Sequence, residues 1–116
     1  MIQSSCECGA VRISVAVAPT DLTDCNCTIC RRYAALWAYY SPRQVQISGL
    51  TDVYLRGEKK IEFHRCRTCG CVTHWSPADK TWDRMGVNCR MMDPTALSGI
   101  PVRKLDGFDT WRFLGE

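Results

Sequence analysis

Nine cysteines lie within 116 residues, and their spacing is the strongest chemical signal in the chain. They are Cys6, Cys8, Cys25, Cys27, Cys30, Cys66, Cys69, Cys71 and Cys89. Steps of C-x-C and C-x-x-C suit two thiolates gripping one metal ion from a tight turn. They suit disulfides poorly, because bridged residues need Cα atoms about 4.4–6.8 Å apart with matched Cβ vectors. The count is odd, and Met1-Ile2-Gln3-Ser4-Ser5 has neither the basic n-region nor the apolar h-region of a secretory signal. These observations lead to the expectation of a reduced, cytoplasmic zinc protein.

Cys6-Glu7-Cys8-Gly9 and Cys66-Arg67-Thr68-Cys69-Gly70 are each a two-thiolate turn followed by glycine. Glycine tolerates the positive φ that lets a backbone curl under an ion. One pair leaves a tetrahedral zinc shell half empty, whereas two pairs fill it. Structural zinc in small peptides contributes on the order of 10–16 kcal/mol, comparable with the roughly 5–15 kcal/mol stability of a whole domain. The third group, Cys25-Asn26-Cys27-Thr28-Ile29-Cys30, offers three thiolates, one short of a closed shell. Catalytic zinc sites keep a position open for water or substrate. By spacing alone, His64, Cys71, His74 or Cys89 could equally complete this shell.

Around these groups the chain reads as roughly seven short strands with little helix, a mainly β fold in a single domain over residues 1–116. Val11, Ile13, Val15 and Val17 alternate with smaller or polar residues, the mark of a half-buried strand. Further strands are expected at Leu36–Tyr40, Val45/Ile47, Val53–Arg56, Ile61–His64, Val72–Trp75 and Met85–Met91, separated by Gly, Ser and Pro. Residues 28–35 allow one or two helical turns. Asp93-Pro94-Thr95 caps a single turn reaching Leu97. Hydrophobic residues make up 46% and charged residues 23%, which excludes a disordered chain, and no run approaches the roughly 18 apolar residues of a membrane span. Seven thiolates on two dications would cancel the formal charge of +3, so a nucleic-acid partner driven by net charge is not expected.

Cys6-x-Cys8-Gly9-Ala10-Val11-Arg12, Cys25-x-Cys27-x2-Cys30-Arg31, Cys66-x2-Cys69-Gly70 and Asp93-Pro94 together resemble the glutathione-dependent formaldehyde-activating enzyme family. This family is also described as S-(hydroxymethyl)glutathione synthase-like or centromere-protein-V-like. The resemblance spans about residues 4–98 and implies an Mss4-like fold of β-sheets held around zinc. It also implies a structural zinc on Cys6, Cys8, Cys66 and Cys69, and a second zinc on Cys25, Cys27 and Cys30 with glutathione drawn to its neighbourhood. The implied activity is a carbon–sulfur lyase acting on a small-molecule thiol and aldehyde, with glutathione as co-substrate. Cys71 and Cys89 depart from the family pattern and read as small buried apolar residues.

A thiol of pKa near 8.5 is only about 3% thiolate at pH 7, so ionising it gains roughly 30-fold at most, and positioning must supply the rest. Arg31 and Arg32 are candidates for pairing with the carboxylates of glutathione. His64 and His74 are the candidate proton donors, against the commoner role of hydrogen-bonded structural groups. Lys59, Lys60, Arg65 and Arg67 read as a solvated hairpin edge. Trp37, Tyr39, Tyr40, Trp75, Trp82 and Trp111 read as aromatic positions on strands, mostly serving the core. The alternative function is a zinc-stabilised binding module with both metals structural, contacting protein or nucleic acid.

Overall fold

In the computed structural model, which describes residues 1–116, ten strands form two sheets. The smaller sheet is antiparallel, with β2 (Arg12–Val15) between β1 (Ile2–Ser5) and β5 (Val45–Ser48). The larger sheet runs in the order β10 (Val102–Leu105), β3 (Leu22–Cys25), β4 (Trp37–Tyr40), β9 (Met85–Asn88), β8 (Val72–Pro77), β7 (Ile61–Cys66), β6 (Thr51–Leu55). Its pairings are antiparallel except that of β10 with β3. The only α-helix, α1, is the single turn Cys30–Tyr33. No helix is long and apolar enough to cross a membrane.

All seven strands expected from the sequence are present, and β1, β3 and β10 are additional. Three are shorter than expected, β4 because it begins at Trp37 and not at Leu36. Strand β2 stops at Val15, and β9 stops at Asn88, where Cys89–Met91 tightens into a 3-10 turn. The turn capped by Asp93 forms over Pro94–Leu97, with its side chain accepting from Thr95 N–H. Trp82 and Trp111 lie outside the strands.

Strand β4 shows how the large sheet serves two purposes. Successive side chains of a strand point to opposite faces. Ala38 and Tyr40 join the core shared with the small sheet, packing with Ile13, Val15, Leu22, Met85 and Val87. Trp37 and Tyr39 face the other way, into a second cluster with Phe63, Trp75 and the Cys25, Cys27 and Cys30 side chains. One face therefore holds the sheets together, and the opposite face carries the three-thiol group.

Asn88 secures this arrangement at 2% exposure. Its Oδ1 accepts from the backbone N–H groups of Leu36 (3.2 Å) and Arg90 (3.1 Å), and its Nδ2 donates to the Val72 carbonyl (2.7 Å). Removing the side chain strands these buried groups, each at about 1–3 kcal/mol. Asn88→Ala is thus expected to lose at least about 2 kcal/mol, read as a lower urea midpoint at unchanged slope. A midpoint equal to the parent's would contradict this.

Candidate metal centres and their cavity

The seven cysteines of the three sequence groups gather into two clusters. Cys6, Cys8, Cys66 and Cys69 form one, their sulfurs all within 4.8 Å of one another, and Cys25, Cys27 and Cys30 form the other by the same measure. In the first, Cys6 Sγ is 3.7 Å from Cys8 Sγ, and Cys8 Sγ is 3.6 Å from Cys66 Sγ. A tetrahedral zinc with Zn–S near 2.3 Å requires sulfurs about 3.8 Å apart, so the donors fit that ion.

The two halves of this cluster are built alike. Cys6 N–H donates to the Val11 carbonyl, and Cys66 N–H donates to the Cys71 carbonyl, each spanning five residues. Gly9 and Gly70 turn the loops at φ of 82° and 80°. Backbone N–H groups point at sulfur, from Val11 to Cys6 (3.3 Å) and from Thr68 and Cys69 to Cys66 (3.3 and 3.5 Å). Those last two donors hold the Cys66 thiol below its ordinary value. The backbone N–H groups of Cys71 and Cys8 pull Cys69 down to about 6. Such sulfurs are prepared to bind metal as thiolates. One pair precedes β2 of the small sheet and the other joins β7 to β8 of the large one, so an ion shared by the four thiols would clip the sheets together.

The three-thiol cluster is assembled from the end of β3, the following loop and the first residue of α1. Cys30 N–H donates to Cys27 Sγ (3.4 Å), and Trp37 Nε1 donates to Cys30 Sγ (3.3 Å). Arg56 Nη1 stands 3.7 Å from Cys27 Sγ. The Cys30 thiol beside Cys25 lowers Cys25 to about 6 and is itself pushed up. The chain also makes room for Cys25. A Cβ built on Gly107 would lie 2.5 Å from Cys25 Sγ, so only glycine fits there without displacing the thiol.

None of the four alternative ligands reaches this trio. Cys89 is fully buried in the inter-sheet core, where burial pushes its thiol up to about 12. Cys71 packs against the four-thiol cluster instead. His64 and His74 stack on each other with ring centroids 4.0 Å apart. His64 bonds Thr51 and Ser76 (2.8 Å each), and His74 Nδ1 bonds Thr73 (2.9 Å). Neither ring lines the cavity at the trio.

Burial, then the neighbouring His64, pushes His74 down to about 3. Since this folded value is below that of the unfolded chain, near 6.5, the contribution to stability is full above pH 6.5 and is lost as pH falls toward 3. At 1.36 kcal/mol per unit the loss reaches at most about 5 kcal/mol. The His74 ring 15N shifts are expected to stay those of neutral imidazole down to about pH 4. Titration of that ring between pH 6 and 7 would refute the assignment.

The trio opens onto a cavity of about 230 Å³. All four tryptophans of the chain line it, along with Tyr39, Ile61, Phe63 and Leu105. Trp37 and Trp75 form its buried floor, whereas Trp82 and Trp111 stand half to two-thirds exposed at its mouth. The cations on the cavity are Arg56 and Arg84, with the Arg84 guanidinium 4.3 Å above the Tyr39 ring. Arg56 enters from the turn between β6 and β7 and Arg84 from the loop before β9, and no local pattern ties either to a cysteine group. Arg31 and Arg32 do not line this cavity. They occupy the exposed side of α1, opposite Cys30, and Arg32 Nη1 donates to the Thr28 carbonyl (2.6 Å). Arg32 does line a neighbouring cleft of about 340 Å³ that shares Arg56. The expected basic cluster lies on the surface, with Lys60 paired to Glu58 and Arg67 to Asp52.

The chain belongs to the glutathione-dependent formaldehyde-activating enzyme family, whose model matches residues 1–101. A crystal structure of a Rhodobacter sphaeroides protein is similar, at 28% identity and a TM-score of 0.71, covering 87% of this chain and 99% of that one. The fold is accordingly mainly β and Mss4-like. No protein with a curated description matches the chain.

Proposed function

We propose that the protein is a zinc-dependent carbon–sulfur lyase that joins glutathione to an aldehyde, with formaldehyde the partner suggested by the family. The observation that carries this reading is the trio of thiols with no fourth protein ligand, open to a cavity. In this reading Cys6, Cys8, Cys66 and Cys69 hold a structural zinc, and Cys25, Cys27 and Cys30 hold a second one. When bound at the trio, zinc supplies Lewis acidity and lowers the pKa of an incoming thiol.

The chain's own groups prepare the rest. Three thiolates leave a dication with a net negative charge, which opposes a fourth sulfur. Arg56, the Cys30 N–H and the Trp37 indole N–H all donate toward the trio and offset that charge. The aromatic walls exclude water around the carbonyl and fix it beside the sulfur, where orientation contributes far more than ionisation. The cleft shared by Arg32 and Arg56 suits a glutathione carboxylate. In the condensation, a sulfur–carbon bond forms as the carbonyl π bond opens, and the thiol proton ends on the oxygen. No oxidant is needed.

All nine cysteines are unpaired, which supports a reducing compartment such as the cytoplasm. Exchange spectroscopy on formaldehyde and glutathione tests the reading directly. The parent protein is expected to accelerate hydroxymethyl exchange, and Cys27→Ser to reduce the acceleration at least tenfold. Exchange equally fast with and without the parent protein would remove the assignment.

A further inference from the structure

We infer that the carbonyl partner carries an apolar body of about the size of an aromatic ring, which Trp111 and Trp82 clasp at the mouth of the trio's cavity. This inference rests on the lyase reading and names the substrate class for that same site. Formaldehyde has two heavy atoms and needs little more than the roughly 30 Å³ share of one water molecule. The cavity holds about 230 Å³. An apolar cavity of about 150 Å³ accepts benzene. The trio's cavity therefore has room for a ring, an aldehyde group and the attacking sulfur.

Its walls agree with its size. Glutathione, with two carboxylates, an ammonium and two amides, matches indole walls poorly, so the apolar group belongs to the other reactant. Trp75 and Trp82 lie 5.8 Å apart at a tilt of 34°, a packed aromatic pair that gives the cavity a continuous apolar wall. Arg56 and Arg84 stand at the same cavity in no ion pair, leaving the anionic peptide a place to rest outside it.

The strongest observation is how the chain holds Trp111. It lies in the left-handed region at φ 58°, a conformation that a bulky residue adopts only when its surroundings impose it. Trp111 N–H donates to the Asp106 carbonyl (2.7 Å). The Asp106 carboxylate accepts from Thr110 and from Asn26 Nδ2 (3.0 Å), while Asn26 Oδ1 accepts from Phe108 N–H (2.9 Å). Asn26 sits between Cys25 and Cys27, so the loop bearing Trp111 is buckled to the thiol loop itself. Yet Trp111 remains 69% exposed, its indole presented and not packed. It also lies beyond residue 101, outside the stretch the family model matches, as do β10 and Gly107. Trp82 lies inside that stretch, so the clasp joins a residue of the matched region to one of the C-terminal segment.

Calorimetry on the zinc-loaded protein tests this with two stable adduct mimics, S-benzylglutathione and S-methylglutathione. The benzyl compound is expected to bind at least tenfold more tightly. Trp111→Ala, at an exposed position, should cut that ratio at least fivefold, with Trp82→Ala as a second variant. Equal affinities, or a ratio unmoved in both variants, would overturn the inference. In the accompanying rate series, phenylacetaldehyde with glutathione should be accelerated more than formaldehyde with glutathione. Acceleration confined to benzyl mercaptan with formaldehyde would put the apolar body on the thiol and overturn it. No acceleration with any pair would instead sink the lyase reading, and this inference with it.

Discussion

Cys66→Ser is expected to yield a chain that is largely unfolded, or that unfolds at least about 4 kcal/mol more easily than the parent, a substantial part of what a structural zinc contributes. Cys66 is a fully buried member of the four-thiol cluster. Its sulfur is 3.6 Å from Cys8 and accepts backbone N–H donors from Thr68 and Cys69. A serine hydroxyl is a poor ligand at the metal and leaves those two donors facing a shorter, neutral acceptor. The apolar cluster beneath is small, with Cys6, Val11 and Cys66 as its buried members, and cannot compensate. Circular dichroism against urea, with zinc per chain measured on the same sample, checks this. A chelator should reproduce the effect in the parent. A variant within about 1 kcal/mol of the parent would mean that the inter-sheet core alone carries the fold.

Gly107→Ala is expected to weaken metal binding at the three-thiol cluster by about 10–100-fold, the usual cost of disturbing the groups that set a ligand. The four-thiol cluster should keep its ion. The added carbon would lie 2.5 Å from Cys25 Sγ and 3.3 Å from Cys27 Cβ, so the thiol must swing away from its two partners. Gly107 does not need a positive φ, so the backbone accepts alanine and the collision is the whole effect. Zinc per chain after dialysis against a weak chelator reads the result: one ion retained where the parent keeps two. Retention of both would show that Cys25 has room to move without leaving the ion.

Local spacing made the two thiol pairs and the trio legible, because ligands two and three residues apart share a turn whatever the fold around them, whereas the meeting of the two pairs in one cluster was implied by the family resemblance. The seven strands with clear alternation or aromatic content were legible for a similar reason. The other three carry little such signal. Ile2–Ser5 and Val102–Leu105 lie at sheet edges and mix polar with apolar residues, and Leu22–Cys25 contributes threonine and aspartate to the ladder. The arginines near the trio were not legible. Arg31 and Arg32 adjoin Cys30 in sequence, but helix geometry turns them away from it. Arg56 and Arg84 arrive through sheet pairing across more than 25 residues. Long-range pairing likewise joins the tail to the site, since β10 meets β3 in parallel and sets Leu105 beside Cys25.

Gathering every tryptophan around one cavity gives the protein a built-in optical gauge. Excitation near 295 nm samples indoles that all border the trio, with none elsewhere to dilute the signal. Emission intensity and wavelength therefore report what enters that space, and cobalt placed on the three sulfurs should quench all four indoles, through energy transfer to its thiolate absorption bands.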